Sequence, residues 1–409
     1  MPFFIRFFLS LHWIYRVDNY KKPVKAVVPI IINTSNMASV DDIALSMIPG
    51  LGVRGAVHLL RTFGSSMQIF KASLSELTEQ AQLRLDIAKK IIARDSHRAA
   101  EREWEYCRRN NITTIASTDI EYPSLLLETD DYPTILYVQG NVNALVQPTL
   151  SMVGTRRISQ YGLTMCEKLV AGLAEQVPSL TIISGLAFGV DVNCQRAAVR
   201  HGLKSVGVLA NALPEIMPAQ HTRFAREMID SGGAIVTELN SQSKQNGRYY
   251  LPRNRIIAAL SAGTVIVESD AAGGSLHTAA MADGYNRTVM AVPGRATDRM
   301  STGTNLLIRN HKAQLILSAE DIVREMMWDI SSNPGGQHGS TGLHFQEPEI
   351  TDPDEKRLLE AFPQEGTVSV EELQSAVRLP TGAIMSLLLN LELSGAIKQL
   401  PGGIYTKSR

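Results

Sequence analysis

The chain has 409 residues, 44% of them apolar, and balances 40 basic against 40 acidic side chains. That length exceeds one small core and sets an expectation of two to four domains. The charge balance excludes nucleic-acid binding through bulk charge, so a polyanion site would have to be local. Cys107, Cys166 and Cys194 are scattered and lack metal-ligand spacing, which argues against a disulfide scaffold and a zinc centre and for a reducing cytoplasm.

The first apolar stretch, FFIRFFLSLHWIY, is interrupted by Arg6 and His12, is too short to span a bilayer and has no small-residue cleavage site after it. Residues 1–38 are therefore read as an extension outside the folded protein, with Met37 as a candidate start. From 39 to 112 apolar residues recur at helical spacing (IALSMI, AVHLLRTF, IAKKII), predicting a helical domain. Its turn Ile48-Pro49-Gly50-Leu51-Gly52 resembles a helix-hairpin-helix, whose glycines let backbone amides approach a DNA phosphate; a plain helical connector is the alternative. Residues 113–148, rich in proline and short apolar runs, read as a connector with one or two short strands. From 149 to 330, the runs LSMVG, LTIISG, SVGVLA, AIVTE, TVIVE, TVMAVPG and AQLIL alternate with helical stretches. That alternation predicts an α/β, doubly wound, Rossmann-like core with ligands at the carboxyl ends of its strands. Residues 331–352 are glycine-, serine- and proline-rich without periodicity and are expected to be a flexible linker. Residues 353–409 give three helices and a hairpin, the order of a winged helix.

Four punctuated segments fall where strands of this core end. They are Val153-Gly154-Thr155-Arg156, the run Ser184 to Asp191 containing Gly185, the run LPRNRIIAALS at 251–261, and GGSLHTA at 273–279. The last opens a helix with Gly273, Gly274 and Ser275, and small residues there leave backbone N–H groups free at the positive end of the dipole. Arg253-Asn254-Arg255 adds forked guanidiniums around an amide, side chains shaped for phosphate. The pattern points to a polyanion, with no obvious catalytic nucleophile, cofactor or metal beside it.

In this order and spacing, together with Val292-Pro293-Gly294 and Gly303-Thr304-Asn305-Leu306-Leu307-Ile308, these motifs resemble the DNA-processing protein A (Smf) family over roughly residues 39–325. The resemblance implies an extended Rossmann core that binds single-stranded DNA, dimerises and loads a RecA-type recombinase during natural transformation. It implies Arg156 as the main phosphate ligand, with the amides of Thr155 and the Gly274/Ser275 turn beside it. Arg253 and Arg255 are candidates too, although one of them could instead pair with Glu238 or Glu268. Asp191 reads as a helix N-cap. Three places depart from the family pattern, one of them Lys312-Ala313, which stands where a glycine-alanine pair is usual after the NxLI helix and adds a charge near the same edge. Gln195 stands where a histidine is usual, and Met217-Pro218-Ala219-Gln220-His221 lacks the basic residue after the proline, so Arg223 is the expected substitute, with Arg226 nearby. Phe188 and Tyr249/Tyr250 are the candidate stacking surfaces.

The alternative is a nucleotide-binding Rossmann enzyme of the lysine-decarboxylase-like type, hydrolysing an N-glycosidic bond with Glu268 or Asp270 as acid or base. Its PGGxGTxxE pattern is absent, Asp283 comes too late for the glutamate, and His277 is a lone histidine on a helix. The winged-helix segment's expected recognition helix, 381–394, contains no Lys or Arg, so a protein-interaction or regulatory role is expected for it rather than base reading.

Overall fold

The computed structural model describes residues 38–328, except 147 and 245, and residues 352–407, except 364–367, 378, 394–396 and 401–403. The expected extension, its Met37 start and most of the expected linker lie outside these. The chain divides into two compact units, Met1–Ser332 and Asn333–Arg409.

The first unit opens with α1 (Val40–Ser46), α2 (Gly52–Phe63), α3 (Ser66–Ile69), α4 (Leu85–Ile92) and α5 (His97–Arg109). Ser39 starts α1 with a reciprocal capping box to Asp42. In the turn that follows, Gly50 and Gly52 have φ of +90° and +67°, a left-handed backbone that favours glycine. Next come β1 (Thr113–Ala116), α6 (Ser124–Leu127) and β2 (Ile135–Gly140). Residues 113–148 are thus more than a connector: β2 pairs antiparallel with both β1 and a core strand, widening the central sheet.

The core runs β3 (Thr149–Val153), α7 (Gln160–Gln176), β4 (Thr181–Ser184), α8 (Val190–Arg200), β5 (Lys204–Val208), α9 (Thr222–Asp230) and β6 (Ala234–Thr237). It continues with α10 (Tyr250–Ala259), β7 (Gly263–Ile266), α11 (Ser275–Gly284), β8 (Thr288–Ala291), α12 (Thr302–Arg309), β9 (Gln314–Leu315) and α13 (Ala319–Glu325). All seven apolar runs of the core are strands. The nine-stranded sheet has the order β1-β2-β6-β5-β4-β3-β7-β8-β9, with β6 to β9 parallel. Strand order therefore reverses between β3 and β7, where an open α/β sheet forms its crevice.

Side chains on β3 alternate between the two faces, as strand geometry requires. Leu150 and Met152 pack with α7, α8 and α13. On the other face, Thr149 Oγ1 donates to Leu260 O (2.8 Å) and Ser151 Oγ to Ile257 O (2.7 Å). These buried hydroxyls satisfy carbonyls at the end of α10 and fix that helix above the switch point. The N-terminal helices share one apolar cluster with Leu186, Phe224, Met228 and Ile235, so they pack on the core's β6 side.

In the second unit, α14 (Pro353–Glu360), α15 (Val370–Val377) and α16 (Thr381–Leu393) accompany β10 (Val368–Ser369), β11 (Ile397–Leu400) and β12 (Ile404–Lys407). The sheet order is β10-β12-β11, and Leu358, Leu373, Ile384, Leu388 and Leu391 build its small core. This is the winged-helix order, with one short extra strand. No helix among the described residues is long and apolar enough to cross a membrane.

Candidate nucleic-acid interface

A cleft of about 280 Å³ opens at the switch point, formed by the loops after β3, β4 and β7 with α10 above them. The first two loops are held in place by backbone contacts that only glycine permits. A Cβ on Gly154 would lie 2.7 Å from Glu268 O and 2.9 Å from Val190 Cβ. Gly189, at φ +80°, packs directly on the backbone of Thr155 and Arg156. The Thr155 amide donates to Glu268 O (2.8 Å), and the Val190 amide donates to Thr155 O (3.1 Å). The three loops are therefore one hydrogen-bonded unit.

This arrangement corrects one expectation. Thr155 lines the cleft, but its amide is spent on the sheet and is not free for phosphate. Arg156 and Arg157 are both exposed and without an ion pair among the described residues, and of the two Arg156 lines the cleft. The Arg156 guanidinium lies 5.3 Å from the centroid of the Tyr250 ring, a cation–π contact that orients the fork without neutralising it.

The second loop is built around a buried charge pair. Asp191 is not the N-cap: Gly189 is, and Asp191 sits one position inside the helix, with its carboxylate accepting the Gly185 N–H (3.1 Å). Burial pushes the Asp191 carboxyl up, against the opposing pull of the Arg253 guanidinium and the Gly185 amide. Arg253 is itself buried, and its Nη1 donates to Gly185 O (2.8 Å) and to Val208 O. Gly185 thus has both backbone groups engaged and serves as a support beneath the cleft. Arg253 lines the cleft floor as a strut rather than an outstretched fork.

Arg255 is not part of the cleft, and its place follows from helical phase. Residues 250–259 form one helix with Pro252 in its first turn, where proline is tolerated. Three consecutive side chains on a helix fan through about 200°, so they cannot all face one ligand. Arg253 and Asn254 line the cleft, whereas Arg255 points to Glu238 and forms a largely buried ion pair. Arg223 is also absent from the cleft; it is exposed and lines a separate groove between α8 and α9.

The third loop supplies free donors. Gly273 packs on the Ser269 hydroxyl, but a Cβ on Gly274 would meet nothing within 4 Å. Gly274 has φ −61° and ψ −24°, which any residue adopts, so neither backbone nor packing demands glycine there. The amides of Gly274 and Ser275 have no protein acceptor among the described residues. They head α11 and face the cleft, the arrangement that binds anions.

Both acids of the hydrolase alternative are engaged elsewhere. The Glu268 carboxylate accepts from the Ser159 amide (2.9 Å) and from its hydroxyl. Asp270 is held below the usual carboxylate range by the Ala272 amide and by Arg299, whose Nε donates to it at 2.8 Å. His277 is exposed on α11 and does not line the cleft.

Other features emerge only in three dimensions. His221 is buried, with its ring Nδ1 2.8 Å from Leu186 O, which fixes that nitrogen as the donor. It supports Leu186, a left-handed residue at φ +53°, and meets the Phe188 ring edge-on at 4.7 Å. Phe188 remains half exposed beside the cleft residue Ala187. Gln195 is buried and donates to Val206 O (2.9 Å). Among the described residues no group of three or more His, Cys, Asp or Glu is placed to hold a metal.

Comparison with known proteins identifies the family and the fold. The family model for DNA recombination-mediator protein A matches residues 111–327, and that for the DprA winged helix domain matches residues 345–403. Protein Smf of Escherichia coli is 33% identical over 294 residues, covering 70% of this chain and 75% of that protein. DNA processing protein DprA of Streptococcus pneumoniae is 33% identical over 204 residues, 50% of this chain and 71% of that one. The crystal structure of the Streptococcus pneumoniae protein superposes with a TM-score of 0.62 at 26% identity, covering 71% of this chain and 98% of that chain. On these matches, the chain belongs to the DNA recombination-mediator protein A family.

Proposed function

We propose that the switch-point cleft binds the sugar-phosphate backbone of single-stranded DNA, and that the protein acts as a binder and not as a catalyst. The observation that carries this reading is Arg156, exposed and among the described residues without a carboxylate partner, on the same cleft as the amides of Gly274 and Ser275, which have no acceptor among those residues. A volume of about 280 Å³ is on the scale of a small-molecule site, which suits one strand and not a duplex. Tyr250 and Phe188, each partly exposed, offer faces or edges for unstacked bases. The test is fluorescence anisotropy with the full chain on a labelled oligothymidine and on a hairpin duplex of equal charge. At least tenfold preference for the single strand is expected; equal affinity would overturn the reading.

The finer role rests on the family resemblance of the motifs. In that role a cytoplasmic homodimer brings a RecA-type recombinase to the bound strand during natural transformation. Sedimentation at micromolar concentration tests the dimer, and RecA filament assembly on protein-coated single strands tests the loading. The winged-helix unit fits a protein-interaction or regulatory role. Its α16 carries no cation, and Met385 and Leu389 are exposed on it at 47% and 56%. Polar and basic donors are what a groove-reading helix requires.

A further inference from the structure

Arg223, expected in the cleft, lies instead in a groove of about 450 Å³ between α8 and α9. Arg196 and Arg200 of α8 line the same groove, with Gln220, Phe224 and Glu227. Arg200 is paired with Glu167 (2.7 Å). Arg196 and Arg223 are exposed and form no ion pair among the described residues. The Arg196 guanidinium lies 5.4 Å from the centroid of the Phe224 ring, so it is held at the groove wall with its charge intact. In a chain of zero net charge, two unneutralised guanidiniums around one depression, against the single carboxylate of Glu227, form a local anion site.

Two elements link the groove to the cleft along the chain. Helix α8 begins at the cleft, where Asp191 lines it, and Arg196 follows about 7.5 Å further along the axis and about 140° around it, on the side that faces α9. On the other side, the cleft residue Ala187 is followed by Phe188, whose half-exposed ring rests on His221 at the foot of α9, two residues before Arg223. Phe188 therefore stands between the cleft and the foot of α9, on which Arg223 sits.

Building on the cleft reading, we propose that the α8–α9 groove is a second phosphate site for the same single strand, holding the backbone as it exits the cleft. The ligand is the nucleic-acid backbone, and contact is through the forked guanidiniums of Arg196 and Arg223. The site extends the footprint, so it acts only on strands longer than the cleft can hold.

The experiment is anisotropy with the full-length protein on labelled five- and twenty-nucleotide oligothymidines across a salt series. It compares wild type, R196Q/R223Q, R196K/R223K and R156A. Each lost phosphate contact lowers the single-strand log–log salt slope by about 0.7, which is about fivefold in affinity near 0.1 M salt. The glutamine pair should therefore weaken the long oligomer about 25-fold and flatten its slope by about 1.4. The short oligomer should be unaffected, and the lysine pair should restore most of the loss. Unchanged binding of the long oligomer, as expected if the groove takes an acidic protein segment instead, would overturn the proposal. So would equal weakening of both oligomers, or a glutamine variant whose lower melting temperature accounts for the loss. The cleft reading is judged separately by R156A on the short oligomer, so either site can fail alone.

Discussion

Replacing Gly274 by alanine should move stability and binding in opposite directions. The backbone at Gly274 is already in the right-handed helical region, and a Cβ there meets no protein atom within 4 Å. Alanine at such a position restricts the unfolded chain and stabilises by about 0.4–1 kcal/mol, or about 1–4 °C in Tm for a domain of this size. The same methyl enters open space on a residue that lines the cleft, next to the Gly274 and Ser275 amides. Losing one hydrogen bond to a charged phosphate costs about 1.5–3 kcal/mol, which weakens Kd about 10- to 150-fold. Gly189→Ala is the matched control: its φ of +80° and its packing on the Thr155 backbone predict that both stability and binding fall. Calorimetry and anisotropy on the two variants check this. A Gly274→Ala protein that melts several degrees lower, or that binds within twofold of wild type, would refute the argument that this glycine is kept open for a ligand.

Glu238→Leu leaves the largely buried Arg255 guanidinium without its partner and should cost about 3–5 kcal/mol in urea unfolding, with single-strand affinity unchanged in the folded protein. Burial raises the Asp191 carboxyl above its ordinary 3.8, so the folded chain holds that proton more tightly than the unfolded one. Its contribution to stability is then full below about pH 3.8 and is lost as pH rises through the folded value. Asp191→Asn should accordingly gain urea resistance relative to wild type as pH rises through this window, and a relative loss would contradict the sign. A chain ending at residue 330 should bind single strands with wild-type affinity; a drop of tenfold or more would give the winged-helix unit a direct part in DNA contact.

Strands and loops were legible where the determinants are local. Runs such as TVIVE and LTIISG are short, apolar and rich in β-branched residues, and the glycines ending them mark the turns toward the cleft. Features that depend on phase or on distant pairing were not. Arg255 reads as a neighbour of Arg253 along the chain, yet two steps on a helix turn it by about 200° onto Glu238. The Thr155 amide looks free until β7 is placed beside β3, which brings Glu268 O within 2.8 Å. Asp191 looks like a cap because it precedes an apolar helical run; the left-handed Gly189 starts that helix two residues earlier. Residues 113–148 look like a connector because β1 and β2 are short and separated by prolines, and the pairing of β2 with β6 is set about a hundred residues downstream.

The most direct test of the central claim is the salt dependence of single-strand binding by wild type and Arg156→Ala, followed by anisotropy on a short oligothymidine. If Arg156 holds a phosphate in the cleft, the variant loses about fivefold in affinity near 0.1 M salt and its log–log slope is shallower by about 0.7. An unchanged slope and affinity would contradict the account and move the DNA away from the switch point.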